Sequence, residues 1–478
     1  MSSVDAVVVG AGPNGLVAAI ELARAGRSVH VVERRGQVGG GAHTAELTLP
    51  GFRHDLCSAV HPLAVGSPAL SSLRLERHGL ELVFPEIQVA HPLDDGSAVA
   101  VRRSVAETAA ELGEDARAYE SLIGPFAQGW ERLRDVLLGP VARWPRAPLL
   151  AARFGLAGVL SARALARIAF KGERARALLA GSAAHSMQPL SGGGTGAFGL
   201  VLLTLAHACG WPVARGGSEA IALALRAELE SLGASIQTDV EVRSLEDLPE
   251  LRSARAILFD LTPRQLLAIC GPDDLTEGYR RALERFRYGP GVFKVDYALS
   301  GPVHWTASDC RIAGTVHLGG SLAEISASEA DVARGRPPVR PYVLVAQPSV
   351  IDPSRAPAGK HTLWAYCHVP NGSGVDMTTA IETQIERFAP GFSDLVLARA
   401  IHGPAALEEL NPNFLGGDIN GGAATLWQTL ARPVPRLSPY TTPNPRLFLC
   451  SSSTPPGGGV HGMCGYHAAR AALAGALR

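Results

Sequence analysis

The chain of 478 residues has no excess of charge of either sign and no long apolar run. Lys plus Arg and Asp plus Glu each number 44, so the formal net charge is zero and no global field draws the chain to nucleic acid. No stretch reaches the roughly 18 uninterrupted apolar residues of a membrane-spanning helix. The N-terminus lacks the basic segment that precedes the apolar core of a signal peptide. We therefore expect a cytoplasmic protein that binds no nucleic acid.

The seven cysteines are scattered, and their spacing excludes two kinds of site. None forms a CxxC or CxxxxC pair. This argues against a zinc ribbon and against a dithiol redox centre, and therefore against a disulfide reductase. No other spacing typical of metal ligands occurs, so we expect no metal. The odd number and the scattered positions fit reduced, mostly buried thiols.

The N-terminal residues follow the order of a dinucleotide-binding unit. A β-branched run over 4–9 predicts a buried strand, which leads into a GxGxxG turn over 10–15, a helix over 16–25 and a second strand that ends at Glu33. The glycines allow a tight turn and a close approach of the backbone to a pyrophosphate, which the helix N-terminus attracts. Glu33 is placed to bind ribose hydroxyls and would repel a 2′-phosphate, so NADP is disfavoured here.

A second strand, glycine-rich turn and helix occur near the other end of the chain. A strand pattern over 446–450 precedes Pro456-Gly457-Gly458-Gly459-Val460-His461-Gly462, and a helical pattern follows over 463–477. Such a turn points a helix N-terminus at an electron-rich group, such as the O2 and N1 edge of a flavin. Two sites of this kind suit a long cofactor with a dinucleotide end and a reactive ring, which predicts FAD. The glycine-rich run over 191–196 follows no convincing strand, so we expect no dedicated NAD(P)H domain.

Together with the glycine doublet Gly39-Gly40, these motifs resemble the phytoene dehydrogenase-like flavoproteins, which are relatives of the amine oxidases. The resemblance is specific at both ends of the chain and favours the branch of pyridine nucleotide-disulfide oxidoreductase domain-containing protein 2. It implies an α/β fold, in which a glutathione-reductase-type FAD-binding Rossmann domain is combined with an interleaved α+β substrate domain.

The resemblance also implies which residues hold FAD. The positions that match the ADP-binding motif are Gly10, Gly12, Pro13, Asn14, Gly15, Glu33, Arg34, Gly39, Gly40 and Gly41. The positions that match an adenine-contacting valine and the turn at the flavin ring are Val242, and Gly459, Val460, His461 and Gly462. Many relatives have Arg where this chain has Gly41, so the charge that neutralises the pyrophosphate must come from elsewhere or from the helix dipole.

The patterns divide the chain into two interleaved domains. We assign residues 1–79, 215–262 and 436–478 to the FAD-binding domain and residues 80–214 and 263–435 to the substrate domain. A third cofactor element is predicted from Gly216-Gly217-Ser218, a helix over 219–232 and a strand pair over 235–245. In the substrate domain, alternating patterns over 292–299 and 342–345 predict sheet strands that floor a pocket.

Two segments of the substrate domain allow two interpretations each. Residues 148–171 predict one apolar helix with Arg153, Arg163 and Arg167 on one face. It is either a membrane-surface helix or substrate gate, or a domain helix with a solvated arginine stripe, and we favour the second. Residues 411–422 are dense in Asn and Gly, which suits either close backbone approach to a ligand or a surface loop with turn chemistry.

The residues that carry the chemistry are harder to predict. A flavin accepts or donates hydride at N5, so an acid–base motif need not be visible in the sequence. His461, the titratable side chain nearest the predicted ring site, is the catalytic candidate. The weaker candidates are His54-Asp55, His185 and Tyr466. Cys464 could tether the flavin covalently, although a buried thiol that packs a helix is the simpler interpretation.

We predict an FAD-dependent dehydrogenase or desaturase. It would take hydride from a C–C bond of a lipophilic small molecule and pass electrons to oxygen or a quinone. The alternatives are an amine oxidase that acts on a C–N bond, a redox-neutral flavin-dependent isomerase, and a flavin-binding partner protein without turnover. Contact with a membrane surface and the oligomeric state stay open, because substrate-domain side chains set them.

Overall fold

The computed structural model describes residues 4–140 and 144–478. Within these ranges the strands are β1 Ala6–Val9, β2 Val29–Val32, β3 Thr44–Glu46, β4 Arg53–Asp55, β5 Leu82–Val83, β6 Ile87–Pro92, β7 Ala98–Val101, β8 Val213–Ala214, β9 Ser235–Gln237, β10 Ala256–Phe259, β11 Gly291–Leu299, β12 Ala313–Leu318, β13 Val343–Ala346, β14 His361–Val369, β15 Val396–His402 and β16 Leu447–Leu449.

The helices of the same residues are α1 Pro13–Arg24, α2 Pro62–Gly66, α3 Pro68–Ser71, α4 Val105–Ala110, α5 Ala116–Gln128, α6 Trp130–Leu137, α7 Pro148–Gly158, α8 Ala162–Ala169, α9 Glu173–Ala184, α10 Thr195–Ala208, α11 Glu219–Ser231, α12 Pro249–Ser253, α13 Pro263–Ile269, α14 Glu277–Glu284, α15 Ser308–Ile312, α16 Leu322–Ala333, α17 Pro348–Ile351, α18 Thr378–Phe388, α19 Phe392–Leu395, α20 Pro404–Leu410, α21 Leu426–Ala431 and α22 Met463–Ala474.

A parallel sheet forms one half of the fold. Its strand order is β16-β10-β1-β2-β9, and every neighbouring pair is parallel. The central strand β1 is buried along its whole length, which explains its continuous run of Ala and Val. Because the strands are parallel, their carboxyl ends meet at one edge. That edge gathers Gly10, Glu33, Asp260 and Cys450, each of which directly follows a strand.

A seven-stranded mixed sheet forms the other half. Its order is β15-β11-β14-β13-β12-β6-β7, with antiparallel neighbours except for the parallel pair β12 and β6. Alternate residues of β14 face opposite sides, as a strand requires. Trp364 and Tyr366 join the core beneath the parallel sheet and the helices, whereas Leu363, Ala365 and Cys367 join a second core on the other face.

This architecture confirms the predicted fold class, an α/β Rossmann domain combined with a substrate domain that contains a mixed sheet. The parallel sheet takes its strands from residues 6–32, 235–259 and 447–449, and the mixed sheet from residues 87–101 and 291–402. The chain therefore alternates between the two sheets. The domain boundaries drawn from the sequence stay a prediction.

The predicted strand pair over 235–245 is wrong. Only β9 is regular, and it pairs in parallel with β2 instead of forming a hairpin. Asp239 has a φ of +59°, a left-handed conformation that turns the chain out of the strand. The next residue, Val240, donates its N–H to the carbonyl of Glu33 at 2.9 Å. The segment after β9 therefore lies along the end of β2.

The single apolar helix predicted over 148–171 is also wrong. It is two helices, α7 and α8, bent by 106° at the break. The N–H of Gly194 takes the carbonyl of Val159 at 2.9 Å, and Ser161 caps α8 by accepting from the N–H of Ala164 at 3.1 Å. Arg153 reaches the carbonyl of Ser121 on α5, so the three arginines share no face.

The same two helices bear on membrane contact. Among the described residues no single helix is long and apolar enough to cross a membrane, and α7 with α8 has the length and composition only as a bent pair.

Candidate cofactor and substrate site

One cavity of about 540 Å³ reaches both sheets. Its nucleotide end is lined by Gly10, Gly12, Pro13, Asn14, Glu33, Arg34, Gly40, Gly41 and Val242. Its other end is lined by His185, Met187, Leu344, Trp364, Tyr366, Gly459 and Val460. The structure therefore brings the N-terminal fingerprint and the C-terminal glycine-rich turn into one space.

Backbone N–H groups hold the Glu33 carboxylate at the mouth of the first turn. Its Oε2 accepts from the N–H of Ala11 at 2.7 Å, and its Oε1 accepts from the N–H of Arg35 at 2.9 Å. Each oxygen keeps a second lone pair, so the group can still accept hydrogen bonds from ribose hydroxyls. The neighbouring N-terminus of α1 presents backbone N–H groups at the same edge.

Three of the predicted cofactor glycines shape the backbone instead of lining the cavity. A Cβ at Gly15 would lie 2.1 Å from the carbonyl oxygen of Gly10, so only glycine lets α1 start this close to β1. Gly39 has a φ of +128°, and a Cβ there would lie 2.5 Å from the carbonyl oxygen of Ala42. Gly462 begins α22 where that helix meets Val17 of α1.

The structure does not bring the ring of His461 to the cavity. The ring is buried, its Nε2 donates to the carbonyl of Gly457 at 3.1 Å, and its Nδ1 accepts from the N–H of Met463 at 3.0 Å. Burial lowers the pKa of His461 to about 4. Both nitrogens therefore hold the turn together, and the prediction that His461 is catalytic and faces the flavin is corrected to a structural role.

Most of the weaker candidates are also structural. Asp55 accepts hydrogen bonds from Thr44 Oγ1, the N–H of Ser218 and Arg355 Nη2 at 2.7–2.8 Å, and is fully buried. This anchors Ser218 of the predicted third cofactor element to β4 rather than to a ligand. The residues that pack away from the cavity are His54, Tyr466 and Cys464. His185 is the exception, because it lines the cavity.

The Asn- and Gly-rich segment 411–422 lies against the cavity, which favours the first of its two interpretations. Its lining residues are Asn411, Pro412, Asn413, Phe414, Ile419, Asn420 and Gly421. Asp418 fixes the segment by accepting from the N–H groups of Gly289, Asn420 and Gly422 at 2.7–2.8 Å.

The sequence analysis missed Asp260 and the aromatic floor. Asp260 lines the cavity, and its Oδ2 accepts from the N–H of Gly15 at 2.9 Å. Burial, with a further contribution from the charge of Glu33, raises the pKa of Asp260 to about 7. Its signal was available, since an acid that follows a buried parallel strand lies at the ligand edge. Trp364 and Tyr366 required knowledge of which face of β14 turns inward.

The charges around the cavity show how the missing arginine at position 41 is compensated. The arginines that line the cavity are Arg34, Arg35 and Arg243, all at the nucleotide end. The close packing there also suits a nucleotide, because a Cβ at Gly40 would lie 3.1 Å from the Cα of Gly12. A ribose-binding acid, a free helix N-terminus, three cations and a second glycine-rich turn in one cavity fit FAD.

Comparisons with known proteins agree with this site. The chain matches the model of the NAD(P)-binding Rossmann-like domain over residues 8–73. It is 29% identical to pyridine nucleotide-disulfide oxidoreductase domain-containing protein 2 of Mus musculus, over 97% of this chain and 92% of that protein. It is 34% identical to a limonene dehydrogenase polypeptide of Castellaniella defragrans, over 28% of this chain and 22% of that protein. A putrescine oxidase structure with bound putrescine, 17% identical, has a TM-score of 0.62 and 98% of both chains covered, which shows a shared fold.

The paired sheets, the two glycine-rich turns and these similarities define an FAD-dependent oxidoreductase of the amine oxidase and phytoene dehydrogenase superfamily. Within that superfamily, the chain is a homologue of pyridine nucleotide-disulfide oxidoreductase domain-containing protein 2. The resemblance inferred from the sequence is thereby confirmed.

Proposed function

We propose that the chain is a dehydrogenase or desaturase that takes hydride from a C–C bond of a lipophilic small molecule. The observation that carries this proposal is the chemistry of the cavity's second end, where Leu344, Trp364 and Tyr366 share the lining with Val460. Among the described residues, the acids that line the cavity are Glu33, Glu241 and Asp260, all at the nucleotide end. An apolar, uncharged substrate therefore loses no solvation that the second end fails to replace.

The residues divide the work of binding. FAD bound here would supply a two-electron acceptor. Glu33 would hold the adenosine ribose, the N-terminus of α1 would hold the pyrophosphate, and the Val460 turn would lie against the ring. Phe414 and Ile419 add apolar surface to the lining, which keeps water from the reacting carbon.

An amine oxidase is the second candidate function, and one observation favours it. The rings of Trp364 and Tyr366 lie edge to face with centroids 5.0 Å apart, and an aromatic pair can bind a cation. However, Lys294 already lies 5.6 Å from the centre of the Trp364 ring. A second cation at that ring would be repelled, so we rank C–N oxidation below C–C oxidation.

Anaerobic reduction of the bound flavin tests the proposal. The FAD-loaded protein is mixed with limonene, and separately with putrescine and cyclohexylamine, while the visible flavin absorption is followed. Bleaching by the hydrocarbon supports C–C oxidation, and bleaching by an amine alone replaces it with the second candidate. Oxygen and a soluble quinone are then admitted in turn, because we propose that one of them takes the electrons. A flavin that none of these compounds reduces would favour an isomerase or a partner protein without turnover.

We also propose that the protein works in the cytoplasm and touches a membrane surface through α7 and the residues around it. The support is a group of exposed apolar side chains, Trp144, Leu149, Leu156 and Ile168. Leu149 and Leu156 are 87% and 75% exposed and lie seven residues apart, on one face of α7. A lipophilic substrate dissolved in a bilayer would be taken up from such a surface.

A further inference from the structure

Three histidines lead away from the substrate end of the cavity. His185, at the C-terminus of α9, is half-buried and lines the cavity. Its Nε2 lies 3.1 Å from Nε2 of His317 on β12, which is fully buried. His91 on β6, the strand parallel to β12, is also fully buried, and its Nε2 lies 2.7 Å from the carbonyl oxygen of Gly320.

His317 and His91 approach each other over a glycine. The Nδ1 atom of each ring is buried and has no hydrogen-bond partner in the part of the chain that the structure describes. Both Nδ1 atoms lie 3.0 Å from the point where a Cβ at Gly181 of α9 would be. Since a hydrogen bond between nitrogen and oxygen spans about 2.9 Å, one water molecule can join the two nitrogens. The three rings and this water form a continuous path from the cavity to Gly320.

The carbonyl at the end of the path orients the protons. A carbonyl oxygen only accepts, so Nε2 of His91 carries a proton. Burial lowers the pKa of His91 to about 4, that of His185 to about 3 and that of His317 well below its usual range, so all three rings are neutral at neutral pH. In head-to-tail order, His317 donates from Nδ1 towards His91 and accepts at Nε2 from His185. This order leaves the lone pair of His185 Nδ1 as the remaining base of the path.

We propose that His185 accepts the proton that the substrate loses and that His317 and His91 relay it; this rests on the proposed function. A C–C single bond becomes a double bond when one carbon loses a hydride, which carries both electrons to FAD, and its neighbour loses a proton, which binds Nδ1 of His185. The Nε2 proton of His185 moves to Nε2 of His317, and the Nδ1 proton of His317 moves through the water to Nδ1 of His91. The positive charge then rests on His91, within reach of the field of Glu324.

The far end of the path lies close to solvent. A Cβ at Gly320 would lie 3.0 Å from Nη2 of Arg387 and 3.6 Å from Oδ2 of Asp94. Asp94 and Arg387 form an ion pair at 2.6 Å in which the Asp94 side chain is 65% exposed. A proton that reaches His91 is therefore separated from water by one carbonyl and this surface ion pair.

Nitrogen-15 NMR of the FAD-loaded full chain, labelled at histidine, tests the relay without a substrate, because the two ring shifts report which nitrogen carries the proton. The expected result is one neutral tautomer each, with the proton on Nε2 of His185, Nδ1 of His317 and Nε2 of His91. Gly181→Ala places a methyl group between the last two rings, and alanine favours the helix. It should abolish the single tautomer of His185, whereas the matched control Gly124→Ala, in open space on α5, should not. A wild-type His185 that is protonated at Nδ1 overturns the proposal.

Kinetics provide the second readout once a compound bleaches the flavin. His185→Gln should slow anaerobic flavin reduction by about 10²- to 10⁴-fold, the range of a lost general base, with FAD content unchanged. Gly181→Ala should slow it as well, and Gly124→Ala should not. Unchanged reduction in His185→Gln overturns the proposal while the proposed function stands. Failure of every compound to reduce the flavin counts against the proposed function, and the tautomers still decide whether the path exists.

Discussion

The carboxylate of Asp260 accepts a hydrogen bond from the backbone N–H of Gly15, 2.9 Å away, in the first turn of α1. That N–H belongs to the group of donors that a pyrophosphate needs at a helix N-terminus. Asp260 is buried there beside the negative charge of Glu33, and burial is the larger reason why its pKa is raised to about 7. The cofactor site therefore contains an acid that changes charge in the physiological range.

Asp260 makes FAD binding depend on pH. Below a pH of about 7 the carboxyl is neutral, and above it the negative charge repels the pyrophosphate. FAD affinity should therefore fall as the pH rises through this value, and Asp260→Asn should remove the dependence. Two charges a few ångströms apart near a protein surface interact by a few kcal/mol at most, so the variant should bind about tenfold more tightly one unit above this pKa. Fluorescence titration of the apoprotein with FAD measures this.

The control for this titration is Asp394→Asn, an exposed acid on α19 outside the cavity. It should keep the wild-type pH dependence. An Asp260→Asn variant that binds FAD more weakly than wild type would contradict this account.

Gly12→Ala should remove FAD without unfolding the protein. The φ of Gly12 is −70°, which alanine adopts freely, but its Cβ would lie 2.6 Å from Oδ2 of Asp260, at the cavity wall. We expect the flavin content after purification to fall by about tenfold or more, with an unchanged thermal midpoint of the apoprotein. Gly278→Ala on α14, where nothing lies within 4 Å, should keep its flavin. Full flavin content in Gly12→Ala would refute the placement of the pyrophosphate.

Arg355→Met should destabilise the fold strongly. The Asp55–Arg355 ion pair, 2.7 Å long, is completely buried, and removing one partner of such a pair costs about 3–5 kcal/mol. Chemical denaturation of the apoprotein measures the change. The matched control is Arg281→Ala, whose pair with Glu277 is exposed and should contribute little.

The same pair predicts an acid effect. Burial would raise the pKa of Asp55, but Arg355 and the hydrogen bonds from Ser218 and Thr44 outweigh it and lower this pKa below 3.8. The stabilisation is therefore present above the unfolded value and is lost as the pH falls through the lower, folded value. The difference in unfolding free energy between wild type and Arg355→Met should shrink in that acidic range. A difference that stays constant there would exclude Asp55 as its source.

Leu149→Glu combined with Leu156→Glu should weaken binding to lipid vesicles. Burial of each leucine contributes about 1.5–3 kcal/mol, so the fraction bound to phosphatidylcholine and phosphatidylglycerol vesicles should fall by about tenfold or more. Leu223→Glu, on an exposed position of α11, is the control. Equal vesicle binding by wild type and the double variant would exclude α7 as the contact surface.

Local patterns predicted the parts of this fold that depend on neighbours in sequence. The strand, turn and helix at Gly10 and at Gly459 were visible because glycine and apolar spacing act locally. The break between α7 and α8 was not, because carbonyls such as that of Val159 find their partners in a loop more than thirty residues away. The role of His461 was mistaken for a similar reason, since no pattern tells which way a ring turns from a glycine-rich turn.

The substrate end illustrates the same limit. His185, His317 and His91 come from α9, β12 and β6, and only the folded sheet places them in line. Trp364 and Tyr366 could be assigned to a strand from their alternation, but not to the inward face. The sequence therefore predicts the cofactor more fully than the side chains around the substrate.

The most direct test of the central claim is the visible absorption spectrum of the purified protein, recorded as isolated and after incubation with FAD and removal of the excess. The account predicts a flavin spectrum with about one FAD for each chain, because one cavity holds both glycine-rich turns. A folded protein that is colourless in both spectra would contradict it.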